Sequence, residues 1–269
     1  GEFAKVSSVE GDISFTPVGG ANATGTDNYG MYLSDTAVVE STGTTMASAA
    51  QITINATGGE GTDDNHGLYL NAAGAEINTV AGVIDIDSTG NDNVTGSGNR
   101  GVYLLDGAKI QSTGSGTVGA ITVDGIGGDG VNNNIGIHIS GTGSEITSAS
   151  GTATLNGTGR GSGTGNDGVV TNPGGQITVG GAGSLTVVGT GSQSGTSSNY
   201  GVRITHEGSK LAVVDGNLSV TGIGGGAGTG TNNIGIYIED GGDIESTGTN
   251  TAAEVTIVGT GGTGSDSNR

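Results

Sequence analysis

The sequence has no cysteine and no tryptophan, and it holds only 2 prolines, 2 phenylalanines and 7 lysines plus arginines. Each scarcity excludes something. Without cysteine there is no disulfide, no thiolate nucleophile and no zinc–thiolate site. Seven basic residues against 26 acidic ones leave a net charge of −19. That argues against nucleic acid, whose binding rests on Lys and Arg neutralising phosphates, and against anionic membrane surfaces. No apolar run approaches the ~20 residues that a membrane helix requires, so membrane insertion is not expected. Sixty glycines with two prolines do not make collagen, which needs Gly at every third position.

What is present is Gly, Ser, Thr and Asn in an acidic, glycine-rich background, a composition shared with unstructured linkers. Against that reading stand short runs of Ile, Val, Leu and Tyr that return at regular intervals. The phrase Asn-x-Gly followed by apolar-Tyr-apolar begins at Asn28, Asn65, Asn99, Asn134, Asn166, Asn199 and Asn233, with the Tyr sometimes replaced. The intervals are 37, 34, 35, 32, 33 and 34 residues. Periods of this size mark solenoids and related arrays.

Within a repeat the apolar residues alternate with period two in three short pieces, such as Val102-Tyr103-Leu104, Lys109-Ile110-Gln111-Ser112 and Ile121-Thr122-Val123. Asp-Gly or Gly-Gly turns such as Asp106-Gly107 separate the first two, and a long Gly-rich loop follows the third. No stretch carries the 3.6-residue helical period, which excludes ankyrin and tetratricopeptide arrays. A propeller blade needs about four strands over 40 or more residues. The fold class expected is therefore all-β: a parallel β-helix, or β-solenoid, with about 34 residues and three strands per coil and roughly seven coils.

The expected inward columns read Met31, Leu68, Val102, Ile137, Val169, Val202, Ile236 on the first strand and Val39, Ile77, Ile110, Ile146, Ile177, Leu211, Ile244 on the second. On the third they read Ile54, Ile86, Val123, Leu155, Val187, Val220, Ile257. Burying each such side chain contributes ~1.5–3 kcal/mol, while ordering each residue's backbone costs ~1–2 kcal/mol. One coil cannot fold alone, so stability must come from stacking. The Asn column, Asn28 through Asn233, reads as a structural ladder in which side-chain amides bond to one another up the stack.

Gly1-Glu2-Phe3 reads as a cloning scar, residues 4–27 as a partial coil, and 28–269 as one continuous array cut from a longer one. The segment around Gly11-Asp12-Ile13-Ser14-Phe15 resembles only the final third of a coil, and Asn268-Arg269 begins another. Open ends of this kind offer strands for end-to-end self-association.

Few residues suggest chemistry. The outward position of the first strand lines up Tyr32, Tyr69, Tyr103, His138, Val170, Arg203 and Tyr237, a candidate binding face for sugar rings or a protein partner. The opposing reading is that exposed neighbours stack for stability. An outward column of Thr53, Asp85, Thr122, Thr154, Thr186, Ser219 and Thr256 is in keeping with strand propensity and with ice-binding faces, although its neighbouring column is mixed. Acidic loops at Asp63-Asp64, Asn91-Asp92-Asn93, Asp129 and Asp266 make calcium the one cofactor to consider. They match neither the EF-hand spacing nor the calcium-binding nonapeptide, so solvated loop charge is preferred and no metal ligand is assigned. No catalytic residue is assigned either. Glu40, Glu76, Glu145, Asp243 and Glu245 fall on different coils, and His66, His138 and His206 occupy different repeat positions.

The recurring Gly-Ile-Tyr-Ile, Ile-x-Ser-Thr-Gly and Ile-Thr-Val-x-Gly-x-Gly phrases resemble those of large bacterial β-strand-repeat surface proteins. These are the filamentous-haemagglutinin-like and autotransporter-passenger-like β-helix adhesins. The resemblance spans residues 4–269 and implies a right-handed β-helix, an extracellular or cell-surface location, and a non-enzymatic adhesive or structural task. Glycans or proteins of a cell surface would be the partners. The alternative is a fragment of a carbohydrate-active β-helix enzyme, a polysaccharide lyase or hydrolase.

Overall fold

Because no coil can bury its own apolar residues, each must be covered by the coils before and after it. The protein does this in a computed structural model that describes residues 4–92, 95–116, 118–228, 230–249 and 253–269. Gly1-Glu2-Phe3 and Asn93 of the acidic loop lie outside the described residues. The described residues form strands and turns with no helix, and every strand pairs in parallel with its equivalents in neighbouring coils. Three sheets result, of seven, eight and eight strands, giving a β-solenoid of about eight turns.

The registers follow the repeat. Val102 pairs with Leu68 and Ile137 in the first sheet, Ile110 with Ile77 and Ile146 in the second, and Val123 with Ile86 and Leu155 in the third. These columns are fully buried through the middle of the stack and form one continuous core. At the N-terminal end the partial coil supplies two strands, not the single final third expected. Lys5–Ser8 joins the second sheet and Ile13–Phe15 the third. The first of these was hidden because Val6 is its lone apolar residue among Lys and Ser.

The Asn column makes a hydrogen-bond ladder at the corner before the first strand. Asn134 Oδ1 accepts the backbone N–H of Asn99 at 3.0 Å and its Nδ2 at 3.1 Å. The backbone series runs from Asn28, which donates to Asn65, to Asn233, which donates to Asn268 Oδ1. Asn65 through Asn233 are fully buried. The residue before each ladder Asn sits in the left-handed region, from Asp27 to Ser267, with φ between 53° and 78°. Asp, Asn, Ser and Gly fill that column, the types that tolerate the conformation best.

The Gly of Asn-x-Gly answers a different need, since its φ is ordinary. A Cβ on Gly136 would lie 2.3 Å from Thr158 N and 2.7 Å from the carbonyl oxygens of Gly125 and Gly168. The first strand thus begins against the backbone of the third, and only hydrogen fits between them.

Candidate functional site

The outward column of the first sheet carries the most distinctive side chains, and its register is Tyr32, Tyr69, Tyr103, His138, Val170, Arg203, Tyr237. Beside it stands a second column that sequence reasoning passed over, the middle residue of Asn-x-Gly: Tyr29, His66, Arg100, Ile135, Asp167, Tyr200 and Ile234. Together they form a packed layer outside the sheet. Tyr69 is stacked with Tyr32 at 5.1 Å and Tyr103 at 5.0 Å between ring centroids, and Tyr103 with His138 at 4.9 Å. From the second column, Tyr29 stacks on His66 at 5.3 Å, and His66 stands edge-on to Tyr69 and Tyr103. The Arg100 guanidinium lies 4.4 Å from the centre of the Tyr103 ring. A smaller stack, Tyr200 on Tyr237 at 4.9 Å, closes the other end.

Two of the histidines, which the sequence places at different repeat positions, thus flank Tyr103 in one layer. Both are nearly buried. His138 Nε2 meets Asn172 Oδ1 at 2.8 Å, while its Nδ1 has no hydrogen-bond partner. Burial, reinforced by the Arg100 charge, pushes His138 down to about 3 and holds His66 well below the usual imidazole range. Both rings are neutral at pH 7. Burial likewise pushes the Tyr69 hydroxyl up to about 12.

An ion pair joins the two columns: Arg203 Nη2 lies 2.9 Å from Oδ2 of Asp167, which is fully buried. Asp167 Oδ1 accepts the Tyr200 N–H at 2.8 Å. Desolvation still outweighs both partners and pushes Asp167 up to about 6.

This arrangement constrains what the aromatic column can do. A sugar ring stacks on the face of an aromatic ring, but both faces of Tyr69 and Tyr103 are occupied by neighbouring rings. Tyr32, 48% exposed, keeps more of its surface open. The stacking free energy of the inner rungs therefore goes into the fold.

The second sheet carries Glu40, Glu76, Glu145, Asp243 and Glu245, and four of these carboxylates enter cross-coil pairs. All three lysines of the chain share one column of that sheet. Lys5 pairs with Glu40 at 2.7 Å, Lys109 with Glu145 at 2.5 Å and Lys210 with Glu245 at 3.5 Å. Glu76 accepts amide hydrogens from Asn78 and Gln111. The Thr53-to-Thr256 column runs down the outer face of the third sheet. Among the described residues no group of three or more His, Asp or Glu is placed to hold a metal ion. No protein-family model matches the chain, and no curated protein or solved structure matches it.

Proposed function

We propose that the chain is a non-enzymatic repeat segment of a large bacterial secreted or cell-surface protein, a rod that mediates contact between cells or between a cell and a surface. The observation that supports this reading is the regularity of the stack. The same inward columns, the same Asn ladder and the same Gly contacts recur in coil after coil, and the distinctive side chains are spent on cross-coil stacking and pairing. An active site requires a local constellation held apart from such a pattern, with carboxylates or other groups converging on one point. Carboxylates here alternate with lysines or amides along the second sheet.

The test is attachment. Beads coated with the chain through a terminal tag are settled on cultured epithelial cells and on a bacterial lawn, beside beads coated with albumin. The reading expects more chain-coated beads to resist washing, and equal numbers on every layer would remove it.

A further inference from the structure

The outward face of the second sheet breaks its repeat in one place. In the column beside the lysines, the long side chains of Asn78 and Gln111 give way to Thr147, Thr178 and Ala212 before Glu245 restores the length. The inward column beneath changes at the same coils, from the buried Ser112 and Ser148 to Val179 and Val213. The connections to the third sheet beside it are short, four or five residues at 149–152, 180–184 and 214–217, as they also are at 9–12 and 80–83. The result is a groove of about 320 Å³ across four coils, edged by Gln176, Lys210 and Glu245 and reaching Thr247.

We infer that this groove binds a neutral saccharide, one or two rings of a surface glycan; the inference rests on the adhesive reading above and names the site and ligand class for it. Three features select that class. First, the groove offers donors and acceptors of hydroxyl type: Thr147 and Thr178 hydroxyls 2.9 Å apart, the Gln176 amide, an ammonium and a carboxylate. Its floor holds the apolar Ala212 and the exposed Val214, so it matches a ring with polar edges and an apolar face. Second, its two charges cancel. The Lys210–Glu245 separation of 3.5 Å is the longest of the three lysine pairs on this sheet, which leaves both groups able to turn towards a ligand. An anionic polymer would meet a chain of net charge −19. Third, the groove lies on a sheet face whose backbone N–H and C=O groups are engaged in the ladders on either side. A peptide could not add to it as a strand. The volume falls at the lower end of the ~300–1,000 Å³ typical of small-molecule sites.

The experiment is electrophoresis through native gels cast with galactomannan, xyloglucan, dextran or polygalacturonate. The wild-type chain is run beside Thr178→Tyr, which fills the groove, and the Lys210→Gln/Glu245→Gln double variant, which removes its charged edge. Circular dichroism melts verify that each variant folds. The expected result is retardation of wild type by at least one neutral polymer and not by polygalacturonate, with about tenfold weaker retardation in both variants. Retardation unchanged in the folded variants would overturn the groove assignment, as would a wild-type chain that no neutral polymer slows. In both cases bead attachment decides separately whether the adhesive reading stands.

Discussion

Asn134 gives both its backbone N–H and its side-chain Nδ2 to a single oxygen, Asn166 Oδ1, at 2.9 and 3.2 Å, and both residues are fully buried. Asn166 returns its own amide to Val131 O at 2.9 Å and its N–H to Asn199 Oδ1 at 3.1 Å. One side chain therefore satisfies three groups of the preceding coil, two of them, on Asn134, fully buried. Asn166→Ala strands the Asn134 N–H and amide away from water, and leaving a buried polar group unpaired costs ~1–3 kcal/mol each. The expected loss is about 2–6 kcal/mol by urea titration, with hydrogen-exchange protection reduced first at Asn134. A loss near zero would mean that water enters the corner and the ladder is dispensable.

The ladder was legible because its Asn never changes type. So were the three inward columns, in which Ile, Val and Leu interchange without altering the pattern. The aromatic layer was half legible. Its outer column shows as a line of Tyr, but the middle residues of Asn-x-Gly run Tyr29, His66, Arg100, Ile135, Asp167, Tyr200. No single residue type marks that column, and only the stacking register brings Asp167 to Arg203 and His66 to Tyr103. A second ladder escaped for the same reason. In the residue two places before the Asn, Asp63 Oδ1 accepts the Ser97 N–H, Ser97 Oγ the Asn132 N–H, and Asn132 Oδ1 the Thr164 N–H. Asp, Ser and Asn are interchangeable as acceptors there, so the column keeps its chemistry while changing its letters.

Gly168 separates two backbones. A Cβ there would lie 2.2 Å from Thr190 N and 2.6 Å from Gly201 O, and neither can move without shifting a ladder. Gly168→Ala is expected to cost more than the ~1–3 kcal/mol of ordinary overpacking, lowering the melting temperature well beyond an exposed control such as Gly25→Ala, where a Cβ meets nothing within 4 Å. Equal melting temperatures for the two variants would refute the steric account of Asn-x-Gly.

His138 makes the layer sensitive to acid. Its folded pKa of about 3 lies below the ordinary 6.5, so below pH 6.5 the unfolded chain takes up a proton that the folded chain refuses. Its contribution to stability is whole above pH 6.5 and falls on acidification by about 1.4 kcal/mol per pH unit until the folded pKa is reached. His66 acts with the same sign. His138→Phe keeps the stack on Tyr103 and removes the titration. The urea midpoint of the variant should therefore decline less than that of wild type between about pH 6.5 and pH 4. Parallel curves would show that His138 is not the group responsible.

Asp167 runs the other way. Its pKa is raised from 3.8 to about 6, so its ionisation opposes folding: the associated stability is complete below the unfolded value and is lost as pH rises through about 6. Arg203 limits that loss, its Nη2 lying 2.9 Å from the carboxylate. Arg203→Met leaves the buried Asp167 with the Tyr200 N–H as its remaining neighbour of opposite polarity, and breaking a buried pair in this way costs ~3–5 kcal/mol. The penalty should be full near pH 7.5 and shrink near pH 5, where Asp167 binds a proton instead of holding an unpaired charge. Adding Asp167→Asn to Arg203→Met should recover most of the loss near pH 7.5, because no charge is then left buried. Urea titrations of the single and double variants at both pH values make the comparison. A penalty that is the same at both and survives in the double variant would show that Arg203 contributes through its packing over Tyr200, 5.7 Å from the ring centre, and not through its charge.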